Sequence, residues 1–327
     1  MRRARVNDIR WFASTPYARL LVPELRRRGL RIALEGDGPA RVAIAMSGRM
    51  AERAWRYARL RRVALVIYIW DIPPRHTGNG LYDPVWCVGN RLFRLPRPFG
   101  GYRVRRGLYS RQRYVAARAD AIWVPSNLTR DMLVDRFGLV GTKVPYCYDS
   151  ERFQLSEAGR EEPPTLLTVS RLEPYKNQPA VLRAAARCRR EVQVRLIGRG
   201  AESRNLASLA ALLGVRCSIQ TDASDAIVTQ AYQRASVVVC PSRFEGFGLT
   251  PVEGVASGVP VVASEIPPHR EFVGAAARFF PLEDDTALVN AIEAALDGDR
   301  PDPGLVQDLT IPAAGQRFFS GLSPFLG

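Results

Sequence analysis

Two carboxylates, Glu245 and Glu253, stand eight positions apart in the run RFEGFGLTPVEGVASGVP at 243–260. Before them, SVVVC (236–240) is a β-branched apolar run of the kind that forms a strand buried on both faces, and Pro241 ends it. Gly246 and Gly248 then open backbone geometries closed to other residues. Thr250, Pro251 and Glu253 read as N-cap, first and third helical positions, which predicts a capping box and a helix over 251–257. The chain thus runs strand, glycine loop, helix N-terminus. Free amides and the helix dipole at such an end seat an anion, and the two acids suit hydroxyl groups beside it. A diphosphate flanked by two sugars offers both. The same residues admit a plainer role, with Glu253 closing the cap and Glu245 a solvated loop acid, because strand, loop and helix alone recur in many α/β proteins.

A second loop adds cations. The chain has 47 Lys+Arg, of which only Lys143 and Lys176 are lysine, so a lysine at a chosen place points to a need for a compact ammonium. Lys176 lies five residues after Arg171 in SRLEPYKNQP (170–179), directly behind the strand candidate TLLTV (165–169). A third strand end, after VQVRLI (192–197), carries GRG at 198–200. Opening on one sheet edge, these loops bring Arg171 and Lys176 beside the anion seat, where they neutralise a departing diphosphate.

The elements that must hold these loops follow a βα alternation. In the first half, 9–13, 31–34, 42–46, 63–69 and 121–124 read as strands, with a helix over 17–28. In the second, 165–169, 192–197, 218–220, 236–240 and 259–263 read as strands. Helices there fit 178–190, 202–213, 225–234, 251–257 and 286–296. Two doubly wound parallel-sheet domains in tandem result, with ligands expected outside the carboxyl ends of the strands, in a cleft the two domains face. The polar stretch 149–164 reads as the linker. Residues 73–101, rich in Pro and Gly, read as a mobile loop over that cleft.

Composition narrows the chemistry. With 46% hydrophobic residues, the 327-residue chain has the makings of two globular cores. Five scattered cysteines without a CxxC pair fit reduced thiols in the cytosol. Two histidines leave little material for a histidine-rich metal site or a Ser-His-Asp triad. The apolar run at 63–70 is too short to span a bilayer, and the basic N-terminus lacks the apolar stretch of a signal peptide. Residues 1–150 hold 29 Lys+Arg against 11 Asp+Glu, and residues 151–327 hold 18 against 21. The basic half favours an anionic partner, a membrane surface or a lipid-phosphate acceptor. No nucleic-acid fold motif is present, which disfavours nucleic acid.

With those residues in view, the second half resembles the donor-binding domain of the family 4 retaining glycosyltransferases of the GT-B fold. SRLEPYKN is similar to that family's G-R-L-x-P-x-K-N segment. PSRFEGFGLTPVEGVASGVPVVAS (241–264) resembles its P-S-x-x-E-G-F-G-L-x-x-x-E-A-x-A-x-G-x-P-V-V-A-S segment, and HREFVGAAARFF (269–280) the E-V-V-G-D-A-A stretch. In the first half, ADAIWVPSNLTRDML, PYCYDSERF and VIYIWDIPPRH resemble the acceptor-domain segments. The resemblance implies an acceptor-side Rossmann-like domain at 1–148, rejoined by a C-terminal helix within 311–327, and a nucleotide-sugar domain at 149–310.

Site roles follow from it. Arg171 and Lys176 hold the donor diphosphate, with Gly198 in the donor site, and Glu245 contacts the transferred sugar. Amides of Phe247, Gly248, Leu249 and Thr250 take phosphate oxygens, Glu253 binds the nucleotide ribose, and Asp71 is the first-domain site residue. No metal or other cofactor is expected, the nucleotide-diphosphate sugar being a co-substrate. Two positions depart from the family. Trp70 stands where a histidine usually precedes the aspartate, with His76 a substitute, and ASTPY (13–17) replaces a glycine-rich loop. The expected activity is transfer of a hexose, from GDP-mannose or a UDP-sugar, to a saccharide or lipid-linked acceptor in polysaccharide or glycolipid synthesis. The expected place is the cytoplasm or the inner face of the plasma membrane. The alternatives are a sugar-nucleotide epimerase and a non-catalytic sugar-nucleotide-binding module.

Overall fold

The computed structural model describes residues 7–12, 16–34, 38–46, 48–72, 87–88, 91–92, 113–156 and 158–327. The chain divides into two compact units, Met1–Cys147 with Ile311–Gly327, and Tyr148–Thr310.

The first unit is built on a six-stranded parallel sheet of order β2-β1-β3-β4-β7-β8. Its strands are β1 (Asn7–Phe12), β2 (Ile32–Leu34), β3 (Ala40–Ala45), β4 (Ala64–Tyr68), β7 (Ala121–Val124) and β8 (Thr142–Lys143). Ile9, Trp11, Val42, Ile44, Val66 and Ile67 are buried, as strands covered on both faces require. The helices are α1 (Pro16–Arg27), α2 (Gly48–Arg61) and α3 (Asn127–Phe137). Ser126 caps α3 by accepting from the Thr129 amide, and Gly138 ends it in the left-handed region. The two-residue strands β5 (Cys87–Val88) and β6 (Arg91–Leu92) pair antiparallel within the stretch 73–101 read as a loop. The rest of 73–101, His76 included, lies outside the described residues.

The second unit carries another six-stranded parallel sheet, of order β11-β10-β9-β12-β13-β14. Its strands are β9 (Thr165–Val169), β10 (Gln193–Ile197), β11 (Cys217–Gln220), β12 (Val237–Cys240), β13 (Val261–Ser264) and β14 (Ala277–Phe280). The helices are α4 (Gln178–Ala185), α5 (Ser203–Leu212), α6 (Asp225–Arg234), α7 (Leu249–Ala256), α8 (Pro267–Val273) and α9 (Asp285–Leu296). Leu166, Val194, Leu196, Val237, Val239 and Val262 form the centre of the core, closed by α4 and α9 through Val181, Leu288 and Ile292. The stretch read as a linker packs on this unit: Phe153 is buried edge-on against Tyr232, with ring centroids 5.1 Å apart, and Arg152 Nε donates to Thr229 Oγ1.

The last helix, α10 (Ile311–Leu322), returns to the first unit. Phe318 is fully buried there, 6.1 Å from Trp11, 5.9 Å from Tyr68 and 5.1 Å from Trp123 by ring centroid. Arg28 of the loop after α1 donates to the Pro312 carbonyl at 2.9 Å. Among the described residues, no helix is long and apolar enough to cross a membrane.

Candidate functional site

Strand order decides where the second unit can bind. From β9 the chain proceeds to β10 and β11 on one side, while β12 pairs on the other, Val237 beside Leu166 and Val238 beside Leu167. The direction of winding reverses between β9 and β12, which leaves a crevice beyond their carboxyl ends. The loops that follow those two strands hold Arg171 and Lys176 on one side and Glu245 on the other.

The structure joins them. Lys176 Nζ lies 2.5 Å from Glu245 Oε1, across 69 positions of sequence, with side chains only 13% and 17% exposed. A short 3-10 turn, Pro174–Lys176, delivers the lysine, and Asn177 in the left-handed region starts α4. Arg171 is the exposed member, 3.1 Å from Glu173 Oε1 and hydrogen-bonded to the Tyr175 hydroxyl. Burial works to raise the Glu245 pKa. The opposing field of Lys176, with the hydrogen bond it donates, outweighs it and holds the carboxyl below its ordinary value. Glu245 is therefore a fixed negative charge, and Lys176 its counterion at the crevice.

The helix after the glycine loop begins earlier than the capping box predicts. Gly248, at φ +93°, is its N-cap, and α7 starts at Leu249 without a side-chain cap. The Thr250 hydroxyl instead donates to the last carbonyl of β9, Val169 O, at 2.7 Å, which ties the helix start to the neighbouring strand end. Glu253 sits in the second turn, and its Oε2 accepts from the buried Tyr232 hydroxyl at 2.8 Å. Burial pushes Glu253 up to about 7, against the Tyr232 hydrogen bond and the charge of Arg152. The Phe247 ring turns inward onto Phe272, centroids 4.1 Å apart, so only its backbone can serve the crevice.

Gly198 contributes by closeness. A Cβ there would lie 1.8 Å from Ser170 O, so only glycine lets the GRG loop rest on the backbone that carries Arg171. Its own amide is engaged by Gln220 O at 2.9 Å. Asp71 is exposed in the first unit, just past β4. Trp70, directly before Asp71, packs its ring 3.8 Å from that of Tyr146, and its indole N–H donates to Met46 O. Its contacts are those of a packing residue. Residues 13–15 lie outside the described residues. Among the described residues, no group of three or more His, Cys, Asp or Glu could hold a metal ion.

One residue escaped the sequence reading. His269, at the start of α8, is buried, and its Nδ1 lies 3.0 Å from Ser264 O. A carbonyl only accepts, so Nδ1 carries the proton. Its other nitrogen is buried and has no hydrogen-bond partner among the described residues. The signal available in sequence was the position alone, in a stretch where only two histidines occur in the whole chain.

Beyond this geometry, likeness to known proteins agrees. Residues 149–305 match glycosyl transferases group 1. A D-inositol 3-phosphate glycosyltransferase of Geodermatophilus obscurus is 30% identical over 225 residues, 60% of this chain and 48% of that protein. An MMP alpha-(1->4)-mannosyltransferase of Mycolicibacterium hassiacum is 30% identical over 209 residues, 60% of this chain and 51% of that one. The chain spans about half the length of the curated relatives it matches. Among solved structures, Anabaena Alr3699/HepE in complex with UDP and glucose superposes with a TM-score of 0.74 at 15% identity, covering 97% of this chain and all of that one. The two Rossmann-like units with parallel six-stranded sheets are the GT-B fold.

Proposed function

We propose that this chain is a retaining glycosyltransferase that moves a hexose from a nucleotide-diphosphate sugar to a saccharide or lipid-linked acceptor. The observation that carries the reading is the Lys176–Glu245 pair at the reversal point of the second sheet. Glu245 grips hydroxyls of the transferred sugar. Lys176 and Arg171 draw charge from the diphosphate as it leaves, the electrostatic work that catalysis of such a step requires. The α7 amides from Leu249 onward meet phosphate oxygens, and Glu253 accepts from the nucleotide ribose. The match to glycosyl transferases group 1 and the names of the relatives support this assignment.

In the reaction, the bond between the anomeric carbon and the phosphate oxygen breaks, and the acceptor oxygen bonds to that carbon on the same face. The acceptor's proton passes to the leaving phosphate oxygen. Protein cations carry the leaving-group charge in this scheme, so no metal is assigned a role. Asp71 is the first unit's own candidate site residue, and the excess of arginine in residues 1–150 favours an anionic membrane surface bearing the acceptor.

The test is a panel of GDP- and UDP-sugars with saccharide and lipid-linked acceptors, scored for transfer and for slow donor hydrolysis, with the product anomer read by NMR. Silence in both assays across the panel overturns the proposal, and an inverted product overturns the retaining mechanism. Retention on anionic liposomes at low salt checks the membrane assignment.

A further inference from the structure

Behind the Glu245 carboxylate runs a chain of buried polar groups that the proposed chemistry does not use directly. The Ser242 hydroxyl is near enough to Glu245 to favour its ionised form. The Ser242 carbonyl accepts from Ser264 Oγ at 2.5 Å, and Ser264 in turn holds His269, its carbonyl 3.0 Å and its hydroxyl 3.3 Å from Nδ1. Ser242, Ser264 and His269 are 4%, 0% and 1% exposed. The ring's far edge closes the circuit against the glycine loop. A Cβ on Gly248 would lie 2.9 Å from His269 Cδ2 and 3.2 Å from Nε2, so the imidazole occupies the space a side chain at 248 would need.

Two features separate this arrangement from ordinary packing. Among the described residues Nε2 is buried with no hydrogen-bond partner, a cost an apolar side chain of similar size would avoid. The ring is also close enough to feel Glu245 and Lys176 electrostatically. Gly248 at φ +93° begins α7, and the loop from 242 to 248 carries Glu245, so whatever fixes both ends of that loop fixes the carboxylate.

We infer that His269 is a positioning residue: anchored through Nδ1–H on the end of β13, it braces Gly248 and, through Ser264 and Ser242, sets where the Glu245 carboxylate is held. The inference rests on the glycosyl-transfer reading for its catalytic consequence, and on geometry alone for the linkage.

The experiment has two arms. In the first, His269→Ala and His269→Asn are made in the wild type and in Glu245→Gln, and turnover is compared with affinity for UDP and GDP alone. Displacing a group that must meet the reacting sugar lowers kcat by about 100-fold. The expected result is a fall of that order in the wild type and none further in Glu245→Gln, with nucleotide affinity changed by less than about twofold, the span within which independent sites are additive. Losses that multiply, or nucleotide affinity that falls in step, overturn it. The second arm needs no activity. Nitrogen-15 NMR of the two imidazoles, assigned with His76→Gln, is expected to show His269 protonated at Nδ1 and bare at Nε2, and to shift in Glu245→Gln. A proton on Nε2, or indifference to Glu245→Gln, overturns the linkage. A protein that transfers no sugar silences only the first arm.

Discussion

Replacing Glu253 by glutamine separates what the fold tolerates from what the proposed chemistry uses. The Glu253 carboxyl titrates at about 7 rather than 4.5 because burial penalises its charge more than the Tyr232 hydrogen bond and Arg152 relieve it. At about 1.36 kcal/mol per pH unit, holding it ionised in the folded protein costs about 3 kcal/mol relative to the unfolded chain. The sign follows from proton counting. Between 4.5 and 7 the folded state binds more protons than the unfolded one, so this group's contribution falls as pH rises through that window and is flat above it. Glutamine keeps an oxygen for the Tyr232 hydroxyl and carries no charge. Urea unfolding of both proteins should coincide near pH 4.5 and diverge to about 2–3 kcal/mol in favour of Glu253→Gln at pH 8. All five tryptophans lie at or before position 123, in the first unit, so circular dichroism rather than indole fluorescence is the readout. A stability difference that does not vary with pH refutes the reasoning. The same variant should bind UDP or GDP about 10-fold more weakly, because a charged acceptor for the ribose hydroxyls is gone.

Lys176→Ala leaves Glu245 largely buried without its counterion. A drop in kcat of about 100- to 1000-fold is expected, with thermal unfolding lowered as a paired buried charge is orphaned; unchanged kcat removes Lys176 from the leaving-group role. Gly198→Ala must push a Cβ into Ser170 O, at a cost of about 1–3 kcal/mol, and shifts the Arg171 loop, so calorimetry should show weaker diphosphate binding; stability equal to wild type refutes the close approach. Phe318→Ala empties a site ringed by Trp11, Tyr68 and Trp123 and should destabilise the first unit by about 3–5 kcal/mol, read by tryptophan fluorescence; an unchanged transition argues that α10 does not dock there.

Legibility in the sequence tracked hydrophobic contrast. TLLTV at 165–169 and AIWV at 121–124 coincide with β9 and β7 because β-branched and apolar runs between turn signals have one sensible burial. Helix α2 carries its contrast in its arginines rather than in an apolar run: it buries only the small Ala51, Ala54 and Ala58 beneath them, so a reading that follows large apolar residues passes it by. At α7 the pattern T-P-x-E pointed to a cap at Thr250, but a tertiary hydrogen bond to Val169 O and the left-handed Gly248 moved the start to Leu249. The partners of the site residues were further from reach. Lys176 and Glu245 stood out by scarcity and context, yet their pairing across 69 residues depends on strand order. The supports beneath them, Tyr232 under Glu253 and His269 under Gly248, come from helices whose sequences show no chemical signature.

The placement of α10 has a consequence for how the molecule is made. The interior of the first unit includes a ring, Phe318, that leaves the ribosome after the entire second unit has been synthesised. Strands translated early must wait for their final aromatic partner, whereas Tyr148–Thr310 is one uninterrupted stretch that can fold as it emerges. Chimeras that exchange that stretch between related chains therefore preserve both interiors, and those that swap at a single crossover do not.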